Sequence, residues 1–313
     1  MDTMDKLALA PLAGYTDKAF REICLENGAD ITVTEMVSAE GLARNSSKTK
    51  ELLERAENEK RLIVQLFAPD ADPISRCIDN LMKYNPTSID VNCGCPVPKV
   101  VRNGAGSALM QDPAKIKQIV KVLKEGTNLD VSVKFRLGWD SSSINYLEFA
   151  ENALSAGASS LTLHARTRAQ MYSGVADRNA FKSLSAHFKN DAVLYASGDI
   201  FTPEDAISIM TECNMDGVMF ARGAIGNPFI FKQTKDLLNK GSYTQISPKY
   251  KIETAIKHFD KMMHYYGEGL AGREMRKHMM AYLKGIEGSS KVKAKLTKAL
   301  TREDYISALE PLI

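Results

Sequence analysis

Short apolar runs of strand length recur along this chain about every 25–35 residues, and no other feature narrows its possible folds as much. They fall at 7–11, 31–34, 62–66, 88–91, 131–135, 160–163, 193–196 and 217–220, each rich in Val, Ile, Leu or Thr. Short runs of near-continuous hydrophobicity suit strands covered on both faces, as in parallel sheets. Helical patterns lie between them. Asp112-Pro113 starts a helix predicted over 114–124, and Thr202-Pro203-Glu204 starts one over 205–213. Eight strands alternating with helices predict a TIM-type (β/α)8 barrel, an α/β architecture of about 250 residues. A doubly wound open sheet competes, but Leu12-Ala13-Gly14-Tyr15 stands where that fold places G-x-G-x-x-G. Beyond Ser247-Pro248 the strand runs stop. Stretches 249–265, 272–284, 292–299 and 302–309 read as amphipathic helices, with 285–290 a loop. The predicted organisation is a barrel over 1–243 followed by a small C-terminal helical bundle over 244–313.

With 44% apolar and 25% charged residues, the 313-residue chain can pack a core, which excludes disordered, collagen-like and coiled-coil classes. No apolar run approaches the ~20 residues of a membrane helix, and Met1-Asp2-Thr3-Met4-Asp5 does not read as a signal peptide. Five scattered cysteines argue against a disulfide framework and for a reducing compartment, so a cytoplasmic protein is expected. A monomer without membrane attachment is expected too. Charge is uneven: residues 248–313 carry 13 Lys/Arg against 8 Asp/Glu, the remainder 28 against 30. A basic tail on a near-neutral body suits a polyanionic partner, the alternative being a solvated lysine-rich helical face.

Barrels of this kind build their sites from the loops at the C-terminal ends of the strands. Here those ends carry Pro11-Leu12-Ala13, Glu35, Gln65, Asn92-Cys93-Gly94-Cys95-Pro96, Lys134 with Arg136, His164 with Arg166, Ser197-Gly198-Asp199 and Ala221-Arg222-Gly223. Gly198, Arg222 and Gly223 fit a phosphate held by backbone donors and one guanidinium. Alternation within Val133-Lys134-Phe135 points Lys134 into the barrel, where an unpaired cation is costly. Either the electron-rich N1/O2 edge of a flavin or a carboxylate such as Glu35 would satisfy it. Cys93 and Cys95 have no further Cys or His at zinc-like spacing, so no metal is expected. Residues 97–110, containing Gly104 and Gly106, read as a mobile loop beside a thiol able to act as an acid. Its Lys99 and Arg102 would face a phosphate-rich substrate.

Together these stretches resemble the flavin-dependent tRNA-dihydrouridine synthases, in their bacterial branch. The resemblance rests on Ala10-Pro11-Leu12-Ala13-Gly14, Gln65-Leu66-Phe67, Asn92-Cys93-Gly94-Cys95-Pro96 and KVVRNGAGSAL at 99–109. It extends through VKFRLGW at 133–139, HARTRAQMY at 164–172, Gly198-Asp199-Ile200, RGAIGNP at 222–228 and REMRKHMMAYLKG at 273–285. It implies FMN as cofactor, NADPH as reductant, and reduction of tRNA uridines to 5,6-dihydrouridine. By the same resemblance the flavin lies on Pro11, Leu12, Ala13, Gln65, Lys134 and His164, with its phosphate on Ser197, Gly198, Asp199, Ala221 and Arg222. Asn92 falls beside the target base, hydride passes from flavin N5 to uracil C6, and Cys95 gives its proton to C5. The base must leave its stack to be reached. Substrate contacts are expected from Lys99, Arg102 and Arg166, and from Arg273, Arg276 and Lys277 on one helical face of the tail.

Ala68, Ala165, Val175, Arg178, Ser197 and Ala221 depart from the family's usual residues, while Gln65, Cys95, Lys134 and Arg222 match them. Two other functions fit parts of the pattern. An FMN barrel enzyme acting on a small dihydropyrimidine or enoate would have no use for a basic tail. A tRNA-binding protein with a lapsed barrel would have no use for Cys95 and Lys134.

Overall fold

The computed structural model describes residues 5–312. Residues 1–4, part of the opening stretch read above, and Ile313, the end of the predicted bundle, lie outside the described residues. Among the described residues, nine strands pair in parallel: β1 (Leu7–Leu9), β2 (Ile31–Thr32), β3 (Val37–Ser38), β4 (Ile63–Phe67), β5 (Ser88–Cys93), β6 (Asp130–Arg136), β7 (Ser160–His164), β8 (Val193–Ser197) and β9 (Gly217–Phe220). Their spatial order is β2-β1-β9-β8-β7-β6-β5-β4-β3. An isolated parallel bridge from Val33, just after β2, to Ile63 of β4 closes the circle, so the sheet curls into the expected (β/α)8 fold. The second predicted strand departs from expectation by being divided into β2 and β3. There the Thr34 hydroxyl accepts the Gln65 N–H at 3.1 Å and donates to the Glu35 carbonyl at 2.9 Å. A side chain thus replaces backbone at that point of the ladder.

Alternation decides what faces inward. In β6, Val131, Val133 and Phe135 are fully buried against the helical layer, and Ser132 and Lys134 point into the barrel. Ala8, Ala10, Val33, Ile63, Tyr195 and Met219 form a separate apolar cluster. Register then aligns Asn92 with Lys134 and Lys134 with Thr162, and next Arg136 with His164 and His164 with Ser197. Successive layers therefore turn polar toward the C-terminal ends. The predicted helix starts hold: Pro113–Thr127 opens on proline, and Pro203–Glu212 has a capping box between Thr202 and Asp205.

The tail forms helices Pro248–Tyr266, Glu268–Tyr282, Ser289–Leu296 and Arg302–Leu309 around their own apolar cluster, joined by Ala19 of the barrel helix Lys18–Glu26. Gly267 at φ +74° lets the second tail helix begin four residues earlier than expected. No helix among the described residues is long and apolar enough to cross a membrane.

Where tail meets barrel, His258 and His278 are fully buried with ring centroids 4.6 Å apart, and Phe20 lies 5.4 and 5.1 Å from them. His258 Nε2 and both ring nitrogens of His278 have no hydrogen-bond partner among the described residues. Burial, reinforced by nearby Lys261, pushes His258 down to about 3, and burial holds His278 well below its ordinary value of 6.5. The folded protein therefore binds fewer protons than the unfolded chain in this acid range. Stability is fully present above pH 6.5 and falls as the pH drops, by ~1.4 kcal/mol per unit per histidine. Calorimetry from pH 6.5 to 4.5 is expected to show a shallower decline for His258→Leu than for the wild type. Equal slopes would clear the histidines as the cause.

Candidate active site

A cavity of about 540 Å³ opens at the C-terminal ends of the strands, within the ~300–1,000 Å³ of small-molecule sites. It gathers Pro11, Leu12, Ala13, Gln65, Asn92, Cys95, Lys134, His164, Ser197, Gly198, Asp199, Ala221 and Arg222. Lys134 makes no ion pair or side-chain hydrogen bond among the described residues. Burial and the neighbouring Arg136 charge hold it down to about 8, against the pull of Asp90. Glu35, the carboxylate that could have paired with it, instead accepts the Gly14 N–H at 2.7 Å. His164 is kept neutral, by burial first and then by Lys134 and three arginines.

Just after β8 the chain turns sharply at the cavity, with Gly198 at φ +112° and Asp199 at φ +51°. A Cβ at Gly198 would sit 2.9 Å from the His164 ring, so glycine is required there on two grounds. Among the described residues no backbone hydrogen bond uses the N–H groups of Gly198, Asp199, Arg222 or Gly223, which leaves donors for an anion. The Asp199 carboxylate accepts from Arg166 at 2.5 Å, the Ala176 N–H at 2.9 Å and Arg222 at 3.3 Å. Partial burial opposes ionisation, but Arg166, the Ala176 N–H and Arg222 hold the carboxyl below its ordinary range. The Arg222 guanidinium rests 4.9 Å from the Tyr172 ring centre and 5.4 Å from that of Phe201.

Cys95 is the half-buried thiol; Cys24, Cys77, Cys93 and Cys213 are free and buried. The loop carrying it, expected to be mobile, is tied at several points. The Cys95 N–H donates to Asn92 Oδ1 at 3.0 Å, and the Cys95 carbonyl accepts from the Ser107 N–H at 3.0 Å and hydroxyl at 2.9 Å. Arg136 donates to the Gly94 carbonyl at 2.7 Å, and also to the Thr167 and Met171 carbonyls. Gly106, at φ +61°, leaves no room for a Cβ, which would lie 2.8 Å from the Cys95 carbonyl oxygen. Burial pushes the thiol up, against the Val97 N–H and Arg136, so it keeps its proton at neutral pH.

Several predicted substrate residues lie apart from the cavity. Arg166 is 1% exposed and donates to the Ser173 and Gly174 carbonyls as well as Asp199, so it braces its own loop. Lys99, within the short helix Pro98–Val101, and Arg102, at its C-terminal cap, are exposed. Arg273 is exposed, but Arg276 is half-buried and donates to the Ala299 carbonyl at 3.2 Å. Lys277 turns toward the barrel, pairing with Glu274 and sitting 5.4 Å from the Tyr15 ring at the cavity wall. The three do not form one exposed face. Asp90, which no motif singled out, is buried inside the barrel and bonded to Gln65. Its signal was available: the inward-pointing alternation that picks out Lys134 also picks out Asp90 in Ser88–Cys93.

A parallel barrel with an open, glycine-turned cavity at its strand ends has the architecture of a protein with a small-molecule site there. The profile of the Dihydrouridine synthase (Dus) family matches residues 8–312, and the chain belongs to that family. A protein of Treponema pallidum (strain Nichols) named "Probable tRNA-dihydrouridine synthase" is 37% identical, across 96% of this chain and 91% of that one. The "tRNA-dihydrouridine synthase B" of Pasteurella multocida (strain Pm70) is 33% identical, across 98% and 92%. A solved 2-naphthoyl-CoA reductase, in complex with 2-naphthoyl-CoA, aligns with a TM-score of 0.58 over 80% of this chain and 56% of its own, at 10% identity. That likeness concerns the fold, and this chain spans little more than half of that structure's length.

Proposed function

We propose that this protein is a tRNA-dihydrouridine synthase, reducing uridines in tRNA to 5,6-dihydrouridine with FMN as cofactor and NADPH as reductant, in the cytoplasm and as a monomer. The observation that carries the reading is that one cavity holds both an unpaired ammonium, Lys134, and a protonated thiol, Cys95. The donor set fits FMN. Lys134 suits the N1/O2 edge, neutral His164 and the free amide capacity of Gln65 suit the ring's polar rim, and Pro11, Leu12 and Ala13 make an apolar wall. The unused N–H groups of Gly198, Asp199, Arg222 and Gly223, with the Arg222 guanidinium, suit the phosphate, beside Ser197 and Ala221. When bound, FMN supplies the hydride taken up at uracil C6.

Cys95 holds the proton needed at C5, and Asn92 holds Cys95 in place. The barrel, residues 1–243, would carry the chemistry, and the helices over 244–313 would help dock the RNA. Arg273 and the exposed Lys291, Lys293, Lys295 and Lys298 offer phosphate contacts, joined from the barrel by Lys99 and Arg102. Lys277, which sits over Tyr15 of the cavity wall, would meet RNA nearest the target base. Purified protein given FMN, NADPH and unmodified tRNA is expected to oxidise NADPH in a tRNA-dependent way and add two hydrogens to a uridine, read by mass spectrometry of nucleosides. Flavin binding with turnover only on a small enoate or dihydropyrimidine would replace this reading with a small-molecule reductase. Failure to bind flavin would replace it with a scaffold.

A further inference from the structure

A chain of hydrogen bonds runs from the barrel interior to the thiol loop. The Ser132 hydroxyl donates to Asp90 Oδ1 at 2.6 Å and Gln65 Nε2 to Asp90 Oδ2 at 2.7 Å. Asn92 Nδ2 donates to Gln65 Oε1 at 2.8 Å, and Asn92 Oδ1 accepts the N–H groups of Gly94 and Cys95 at 3.2 and 3.0 Å. Its polarity is set independently at both ends. Backbone N–H groups can only donate, so the Asn92 oxygen must face the loop and its NH2 must face Gln65. An ionised carboxylate can only accept, so the Gln65 NH2 must face Asp90. Both ends demand the same orientation of both amides. All three side chains are nearly or fully buried, so water does not compete for these bonds. Burial lifts the Asp90 carboxyl to about 6, against the Ser132 and Gln65 hydrogen bonds and Lys134, which leaves it mainly ionised at neutral pH.

We propose that Asp90 is a positioning residue: by fixing the amide of Gln65, and through it that of Asn92, it sets where the Cys95 thiol sits. The catalytic consequence rests on the reading of Cys95 as the acid; the positioning itself does not. The test reverses the relay. Asn92→Asp keeps acceptors for the loop but places an acceptor against Gln65 Oε1. Asp90→Asn keeps an acceptor for Gln65 Nε2, and its new NH2 can meet a rotated Ser132 hydroxyl. In the double variant the amide flips: Gln65 donates toward position 92 and accepts from position 90.

The readout is the rate at which iodoacetamide alkylates Cys95 in the purified protein, followed by peptide mass mapping, alongside thermal unfolding and tRNA turnover. Asn92→Asp is expected to raise that rate about 3- to 10-fold, the loss of one buried hydrogen bond, and Asp90→Asn to change it less than about 2-fold. The double variant is expected to return to within about 2-fold of wild type, a non-additivity that independent positions do not produce. A double variant alkylated as fast as Asn92→Asp alone overturns the proposal, as does a folded Asn92→Asp with the wild-type rate. Should Asn92→Asp not fold, Asp90→Leu removes the acceptor at the other end and must raise alkylation similarly, an unchanged rate again overturning the idea. Because alkylation needs no tRNA, the expected pattern in a protein that makes no dihydrouridine would keep the relay and discard the function.

Discussion

Replacing Cys95 by alanine is expected to lower turnover on tRNA about 10²- to 10⁴-fold, the range supplied by a positioned general acid, while flavin binding and NADPH-dependent flavin reduction persist. Burial keeps the thiol protonated at neutral pH, and Asn92, Ser107 and Arg136 fix the loop that carries it. Its removal therefore takes away a proton donor without touching Lys134 or the glycine-turned corner. Cys93→Ala is the matched control. Cys93 lies two residues away but is fully buried in the core between barrel and helices, so that variant should lose some stability and keep its turnover. Stopped-flow measurement separates the halves of the cycle: reduction of the flavin by NADPH should match wild type, and reoxidation by tRNA should slow. A Cys95→Ala enzyme that reoxidises at the wild-type rate would remove the thiol from the chemistry.

Arg222→Ala is expected to weaken FMN binding by about tenfold or more. A charge-assisted contact to phosphate contributes about 1.5–3 kcal/mol, roughly 10- to 150-fold. The low part of that range applies, because the side chain is 41% exposed and already shares Asp199. What remains is preorganisation. Tyr172 and Phe201 hold the guanidinium beside the unused N–H groups before any anion arrives. Fluorescence titration of FMN against the apoprotein measures the effect, with riboflavin, which lacks the phosphate, as comparison. Arg222→Ala should leave riboflavin affinity unchanged; an equal loss for both ligands would move the phosphate elsewhere.

Much of this arrangement is written in local patterns. Strand-length apolar runs alternating with helical patterns point to a parallel α/β sheet buried on both faces, and the absence of G-x-G-x-x-G after the first run favours the barrel over the open sheet. Period-two alternation aims Lys134 inward, and position after a strand places Gln65, Asn92, Cys95, His164 and the two glycine-bearing turns around one opening. These properties depend on a residue and its near neighbours, so they survive in the linear chain.

Pairing is different. That Glu35 takes the Gly14 N–H rather than Lys134, that Arg166 is buried on Asp199, and that Gln65 bonds to Asp90 are contacts between residues 21, 33 and 25 positions apart. No periodicity encodes them. Helical spacing puts Arg273, Arg276 and Lys277 on one azimuth of a helix, but the neighbours of that helix decide where the azimuth faces. Packing turned Arg276 to the Ala299 carbonyl and Lys277 toward Tyr15, leaving Arg273 alone in solvent. The thiol loop follows the same rule. Its glycines suggest mobility when read in sequence, and only the folded chain brings Asn92, Ser107 and Arg136 together to hold it. The residue types at this site were thus determined by the sequence, while their directions of hydrogen bonding were decided by tertiary packing, since a buried donor takes whichever acceptor the fold places within reach.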